Sequence, residues 1–131
     1  MELVNRSHLS DEDVLWLFNW VKNALNNEVV IEKLIVKTRK RNNSWRGRWT
    51  MFYPAYDVIK LAVSKQAGPN SYERKGIRIS LHSWVEYWVA GFAHELTHST
   101  GASEKACVKA ERAILQVWRQ EFGYEVRSIP R

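Results

Sequence analysis

One cysteine, Cys107, stands among the 131 residues of the chain. No disulfide can close within it, and zinc-finger ligation, which takes at least two thiolates, is excluded. Cys107 is read as a small buried residue rather than as a thiolate ligand. No apolar run approaches the roughly 20 residues that a membrane-spanning helix needs, so no membrane partner is expected. The opening residues, Met1-Glu2-Leu3-Val4-Asn5, lack the basic start and apolar stretch of a secretory signal. With the scarcity of cysteine, this gives the expectation of a cytoplasmic protein. Internal repeats, low-complexity stretches and a pro-segment that could mask a metal are also missing. The length suits a single domain over residues 1–131 with room for a real core.

Against these absences stands one dense motif, His94-Glu95-Leu96-Thr97-His98. A spacing of four puts both imidazoles on one face of a helix, about a turn apart, where they can meet one ion. Glu95 lies next to His94, close enough to act on a water without being a ligand itself. The surrounding residues support a helix. Ser83-Trp84-Val85-Glu86 has the form of a capping box, and Val85, Val89, Phe92 and Leu96 recur at helical spacing. Gly91 leaves room on the histidine face, and Gly101 provides a stop. Between Arg78 and Lys105 there is no lysine or arginine, in a chain with 20 such residues. A cation-free window suits a divalent ion. The plain alternative is two half-exposed helix histidines beside a solvated glutamate.

A catalytic zinc takes three protein ligands and keeps one position open. A second helix is expected from the cap Ser103 to about Gln120 or Phe122, antiparallel to the first. Folding the chain at Gly101 brings Glu104 level with the histidines, so Glu104 is placed first as third ligand. Glu111, seven residues on and on the same face, is second. Whichever of the two is not a ligand can accept the outer N–H of a ligand histidine. Glu104 also suits a helix start through the macrodipole alone. His82, just before the motif helix, is read as bonding within its own turn rather than touching substrate.

Over Ser83 to about Phe122 the chain resembles the zincin metallopeptidases, most closely from His94 to Glu104. In that resemblance His94 and His98 match the zinc ligands, Glu95 matches the general base, and Glu104 or Glu111 matches the glutamate that gluzincins draw from the next helix. Ser103-Glu104, Leu115 and Trp118-Arg119 are similar to small phage and bacterial zincins. His94 to Gly101 also has the metzincin form, but the methionine turn of that branch is missing, since the last methionine is Met51. The compact layout and Thr100-Gly101 resemble the SprT-like and ArdC-like DNA-associated zincins. The resemblance implies a Zn2+ cofactor, a peptide or protein substrate laid along an edge strand, and hydrolysis with Glu95 as base. Tyr72, Tyr87, Tyr124 and Arg112 are unranked candidates for steadying the oxyanion.

The rest of the chain reads as scaffold. Ser10 caps a first helix, with Val14, Phe18, Val21 and Leu25 as its apolar stripe, ending near Asn26-Asn27. Strands are expected at Val29 to Arg39, Arg48 to Tyr53, Asp57 to Val63 and Ile77 to Leu81, with breaks at Asn42-Asn43-Ser44, Pro54 and Gly68-Pro69-Asn70-Ser71. The expected class is α+β: an N-terminal helix, a small mostly antiparallel sheet, the motif helix and a backing helix.

One charge run stands out. Lys37 to Arg48 carries six cations and no acid, in a chain of formal charge +6. Lys37, Arg39, Lys40, Arg41, Arg46 and Arg48, with Trp45 and Trp49 among them, could track a phosphate backbone and stack bases. A solvated basic hairpin is the plain alternative. A protease cutting proteins held on nucleic acid, and a nucleic-acid-binding module of antirestriction or phage type with a structural or vestigial zincin site, are the two readings that use this segment.

Overall fold

A computed structural model describes residues 1–39, 48–65 and 67–131. In chain order they form β1 (Glu2–Arg6), α1 (Asp11–Ala24), β2 (Lys33–Arg39), β3 (Arg48–Tyr53), β4 (Val58–Ser64), β5 (Asn70–Arg74), β6 (Ile77–Leu81), α2 (Trp84–His98) and α3 (Glu104–Phe122). The class is α+β.

The helices begin where the sequence signals them. The Ser10 hydroxyl accepts from the Asp13 N–H at 3.1 Å, and the Ser103 hydroxyl accepts from the Ala106 N–H at 3.2 Å. The start of α2 differs from the expected capping box. Ser83 makes no side-chain cap bond, and the Glu86 carboxylate accepts from the His82 N–H at 2.9 Å instead. The reason is tertiary. Glu86 is 1 % exposed, and its charge is met by Arg119 of α3, at 2.7 Å from Nη2 and 3.1 Å from Nε. A buried carboxylate follows its guanidinium partner rather than a local cap.

The sheet corrects the expectation. Its order is β1-β2-β4-β3, with β1 parallel to β2, β2 parallel to β4, and only β3 antiparallel to β4. It is mixed, not mostly antiparallel, and the separate β5–β6 pair is antiparallel. Residues 2–6 supply the unexpected first strand. Parallel pairing of β1 with β2 requires a crossover, and α1 is that crossover. β2 is also shorter than expected, beginning at Lys33, because Val29 is held in a local turn with Asn27. The Val29 N–H donates to the Asn27 side chain and the Glu32 N–H donates to the Asp57 carbonyl.

One face of the sheet presents Leu34, Val36, Ile59, Leu61 and Val63 to the core, where they join Val14, Phe18, Val89, Phe92 and Leu96. The predicted stripe of α2 is buried, as are all the other residues from Val85 to Leu96. The sheet, α1 and α3 all pack on this helix. A helix apolar on all sides belongs at the centre of a fold. Among the described residues no helix is long and apolar enough to cross a membrane.

Candidate metal centre

The helical hairpin α2–α3 builds the site. Gly101 adopts φ +84°, a conformation open to glycine at little cost, and turns the chain between the two helices. The Gly101 N–H donates to the His98 carbonyl at 2.9 Å, closing α2. Three residues later Glu104 opens α3 beside the last turn of α2.

Three donor atoms converge there. Glu104 Oε2 lies 2.7 Å from His98 Nε2 and 3.2 Å from His94 Nε2. Two ligands on a tetrahedral zinc ion with bonds near 2.0–2.1 Å stand about 3.3 Å apart. The donor set, two imidazoles and one carboxylate, is that of a catalytic zinc site with an open position, so these residues fit the ion. Glu95 is 3 % exposed, with Oε1 4.0 Å from His94 Nε2. It stands beside the cluster rather than within it.

Glu111 takes the other nitrogen of His94, with Oε2 2.7 Å from Nδ1. Its carboxylate is 1 % exposed and also accepts from the Tyr72 hydroxyl at 2.8 Å. Nε2 is therefore the His94 nitrogen directed at Glu104. The two glutamates named as alternatives thus sit on opposite nitrogens of one ring.

Arg74, at the end of β5, is a member of the site to which the sequence does not point. Its Nη2 lies 3.0 Å from Glu104 Oε1, which itself stands 3.2 Å from His94 Nε2, so the carboxylate lies between the guanidinium and the histidines. The expected cation-free surroundings are therefore corrected: the gap in the sequence is real, but β5 brings a cation in from outside it. Burial acts to raise the Glu104 carboxyl. It is outweighed by His94, the His98 hydrogen bond and Arg74, which hold the group below its ordinary value. Cys107 is buried, and its sulfur and the nearest ring nitrogens of His94 and His98 lie within 4.8 Å of one another. Burial, then Glu104, Glu95 and Glu111, push its thiol up to about 12.

Of the four oxyanion candidates, Tyr72 reaches a glutamate of the site, its hydroxyl donating to Glu111. The Tyr87 hydroxyl donates to the Gly68 carbonyl at 2.7 Å. Tyr124 packs edge-on against His82, ring centroids 4.8 Å apart, beside a cavity of about 420 Å³ at the other end of α2. Arg112 lines a separate groove with Arg78 and Arg119. In the basic segment, Lys37 and Arg39 close β2 and Arg48 opens β3, while Lys40, Arg41, Trp45 and Arg46 lie outside the described residues.

Comparison with protein-family models, with curated proteins and with solved structures yields no match.

Proposed function

We propose that the protein is a zinc-dependent peptidase of the zincin kind, with His94, His98 and Glu104 as ligands and Glu95 as general base. The observation that carries this reading is the approach of Glu104 Oε2 to His98 Nε2, at 2.7 Å, and to His94 Nε2, at 3.2 Å, with Glu111 behind His94. Zinc bound there would lower the pKa of a water and polarise the scissile carbonyl. Glu95 then removes the proton of the attacking water and returns it to the leaving nitrogen. Its burial keeps that exchange away from bulk solvent. Glu111 holds the His94 ring in one tautomer and orientation. Arg74 faces Glu104 Oε1 and favours the charged form of the carboxylate. β3 ends the sheet beside α2, and an extended peptide could add to its edge through main-chain hydrogen bonds.

The test is metal content of the purified protein beside His94→Ala, Glu104→Ala and Glu111→Ala. Stoichiometric zinc, lost with the first two and weakened with the third, supports the reading. A folded protein that takes up no zinc on supplementation refutes it. Peptide cleavage, with Glu95→Gln as control, then addresses turnover.

A second reading, a nucleic-acid-binding module with a structural metal, draws on the exposed Lys37 and the charge of +6. Salt separates the two: phosphate binding weakens steeply with salt, whereas turnover of a neutral peptide need not.

A further inference from the structure

The face of the four-stranded sheet opposite the core carries a second feature. Along β2, Leu34 and Val36 point into the core, so Lys33, Ile35 and Lys37 point outward. The register sets Arg6 of β1 directly beside Lys37, and Lys37 beside Ala62 of β4. Lys60, two residues before Ala62, pairs with Ile35, which puts it diagonal to both Lys37 and Lys33, within about 7–8 Å. Arg6, Ile35, Lys37, Lys60 and Ala62 line a groove of about 180 Å³. Lys60 also stands over the Tyr53 ring, 5.4 Å from its centroid.

Like charges opposite one another on a sheet repel. Here Arg6 and Lys37 face each other, and among the described residues no carboxylate pairs with either of them or with Lys60; Lys33 alone has an acid, Glu2, at 3.7 Å. Three cations around one groove call for an anion from outside. Its chemistry is narrowed by what surrounds them. A shallow sheet groove with an aromatic ring at its border suits a flexible chain of phosphates with unpaired bases better than it suits a duplex, whose major groove takes a protruding helix or ribbon.

We infer that this face binds single-stranded nucleic acid, with Arg6, Lys37 and Lys60 on the phosphates. The site includes only Lys37 of the cations in the Lys37–Arg48 run and adds Arg6 and Lys60 from strands distant in the chain. It depends on neither the metal centre nor peptidase activity.

The test is fluorescence anisotropy with a labelled 20-nucleotide oligo-dT over a range of NaCl concentrations. Arg6→Glu/Lys37→Glu/Lys60→Glu is compared with the charge-matched Arg78→Glu/Lys109→Glu/Arg112→Glu, which alters the far side of the fold. The inference expects Kd to rise at least about tenfold in the first variant and little in the second. It also expects the log Kd–log salt slope to fall by about 2, at about 0.7 for each phosphate of a single strand that is no longer neutralised. Arg6→Gln/Lys37→Gln/Lys60→Gln, a milder change to the sheet, gives a smaller loss in the same direction and serves if the reversed variant does not fold. Equal loss in the two reversed variants would reduce the effect to net charge and overturn the site. So would no binding by the wild type in 50 mM NaCl. Loss confined to phosphatidylserine vesicles or poly-glutamate, with oligo-dT binding unchanged, would assign the face to another partner and overturn it as well. Zinc content of each variant, read in parallel, reports on the metal centre separately.

Discussion

Glu111 Oε2 lies 2.7 Å from His94 Nδ1, on the ring nitrogen that does not meet Glu104. A buried carboxylate in that place makes the imidazole a better donor and stops it from rotating. Glu111→Gln keeps a hydrogen-bonding side chain but removes the charge, and Glu111→Ala removes both. Zinc affinity, measured by competition with a chromogenic chelator, is expected to fall about 10- to 100-fold in Glu111→Ala. Glu111→Gln should fall between that variant and wild type. Unchanged affinity in both would mean that His94 is positioned by something else.

Glu95 stands beside the donor cluster without joining it, so its two conceivable roles separate cleanly. As general base it should be dispensable for zinc and needed for turnover. Glu95→Gln is expected to hold zinc at wild-type stoichiometry while kcat on a peptide substrate drops by about 10²- to 10⁴-fold. Loss of zinc together with activity would make Glu95 a structural part of the centre instead.

Arg119 and Glu86 tie α3 to the start of α2 through two hydrogen bonds, with the Arg119 side chain 15 % exposed and that of Glu86 1 %. Removing one partner of a buried pair leaves the other charge uncompensated, at about 3–5 kcal/mol. Arg119→Met is therefore expected to lose about that much stability in urea unfolding. The double variant Glu86→Gln/Arg119→Met, which removes the stranded charge, should recover a good part of it. A double variant no more stable than the single would show that the packing of the arginine stem, not the charge, carries the effect.

What is legible in the sequence, and what is not, divides along locality. Caps and 3.6-residue periodicity are local, so all three helices are readable to within a residue or two, along with the hairpin that sets Glu104 and Glu111 against the histidines. Strand pairing is not local. β1, with intermediate burial along Leu3 to Asn5, carries little alternation of its own and becomes a strand because Lys33 to Lys37 accept it in parallel register. Glu86 has the spacing of a capping glutamate and is diverted by an arginine 33 residues away. Arg74 enters the candidate site from a strand that begins inside the Gly68-Pro69-Asn70-Ser71 break. Nothing near it in the chain points to Glu104, 30 residues on. The basic face has the same origin: one of its cations lies in the charge run, and the others reach it through sheet register alone.

Glu104 makes the electrostatics of the centre measurable without metal. Burial disfavours its charged form, but His94, the hydrogen bond from His98 and Arg74 favour it more, so its folded-state pKa lies below the ordinary 4.5. Between those two values the unfolded chain holds the proton more tightly than the folded one, so stability falls as pH falls. The contribution is fully present above about 4.5, declines below it, and is gone once the folded-state carboxyl has itself titrated. Zinc-free wild type, prepared with a chelator, is therefore expected to lose stability more steeply below pH 4.5 than Glu104→Gln does. The measurement is urea unfolding at half-unit pH steps from 3 to 7. Parallel curves across the whole range would mean that His94, His98 and Arg74 do not hold the Glu104 charge in the folded protein, and that its place beside them needs the ion.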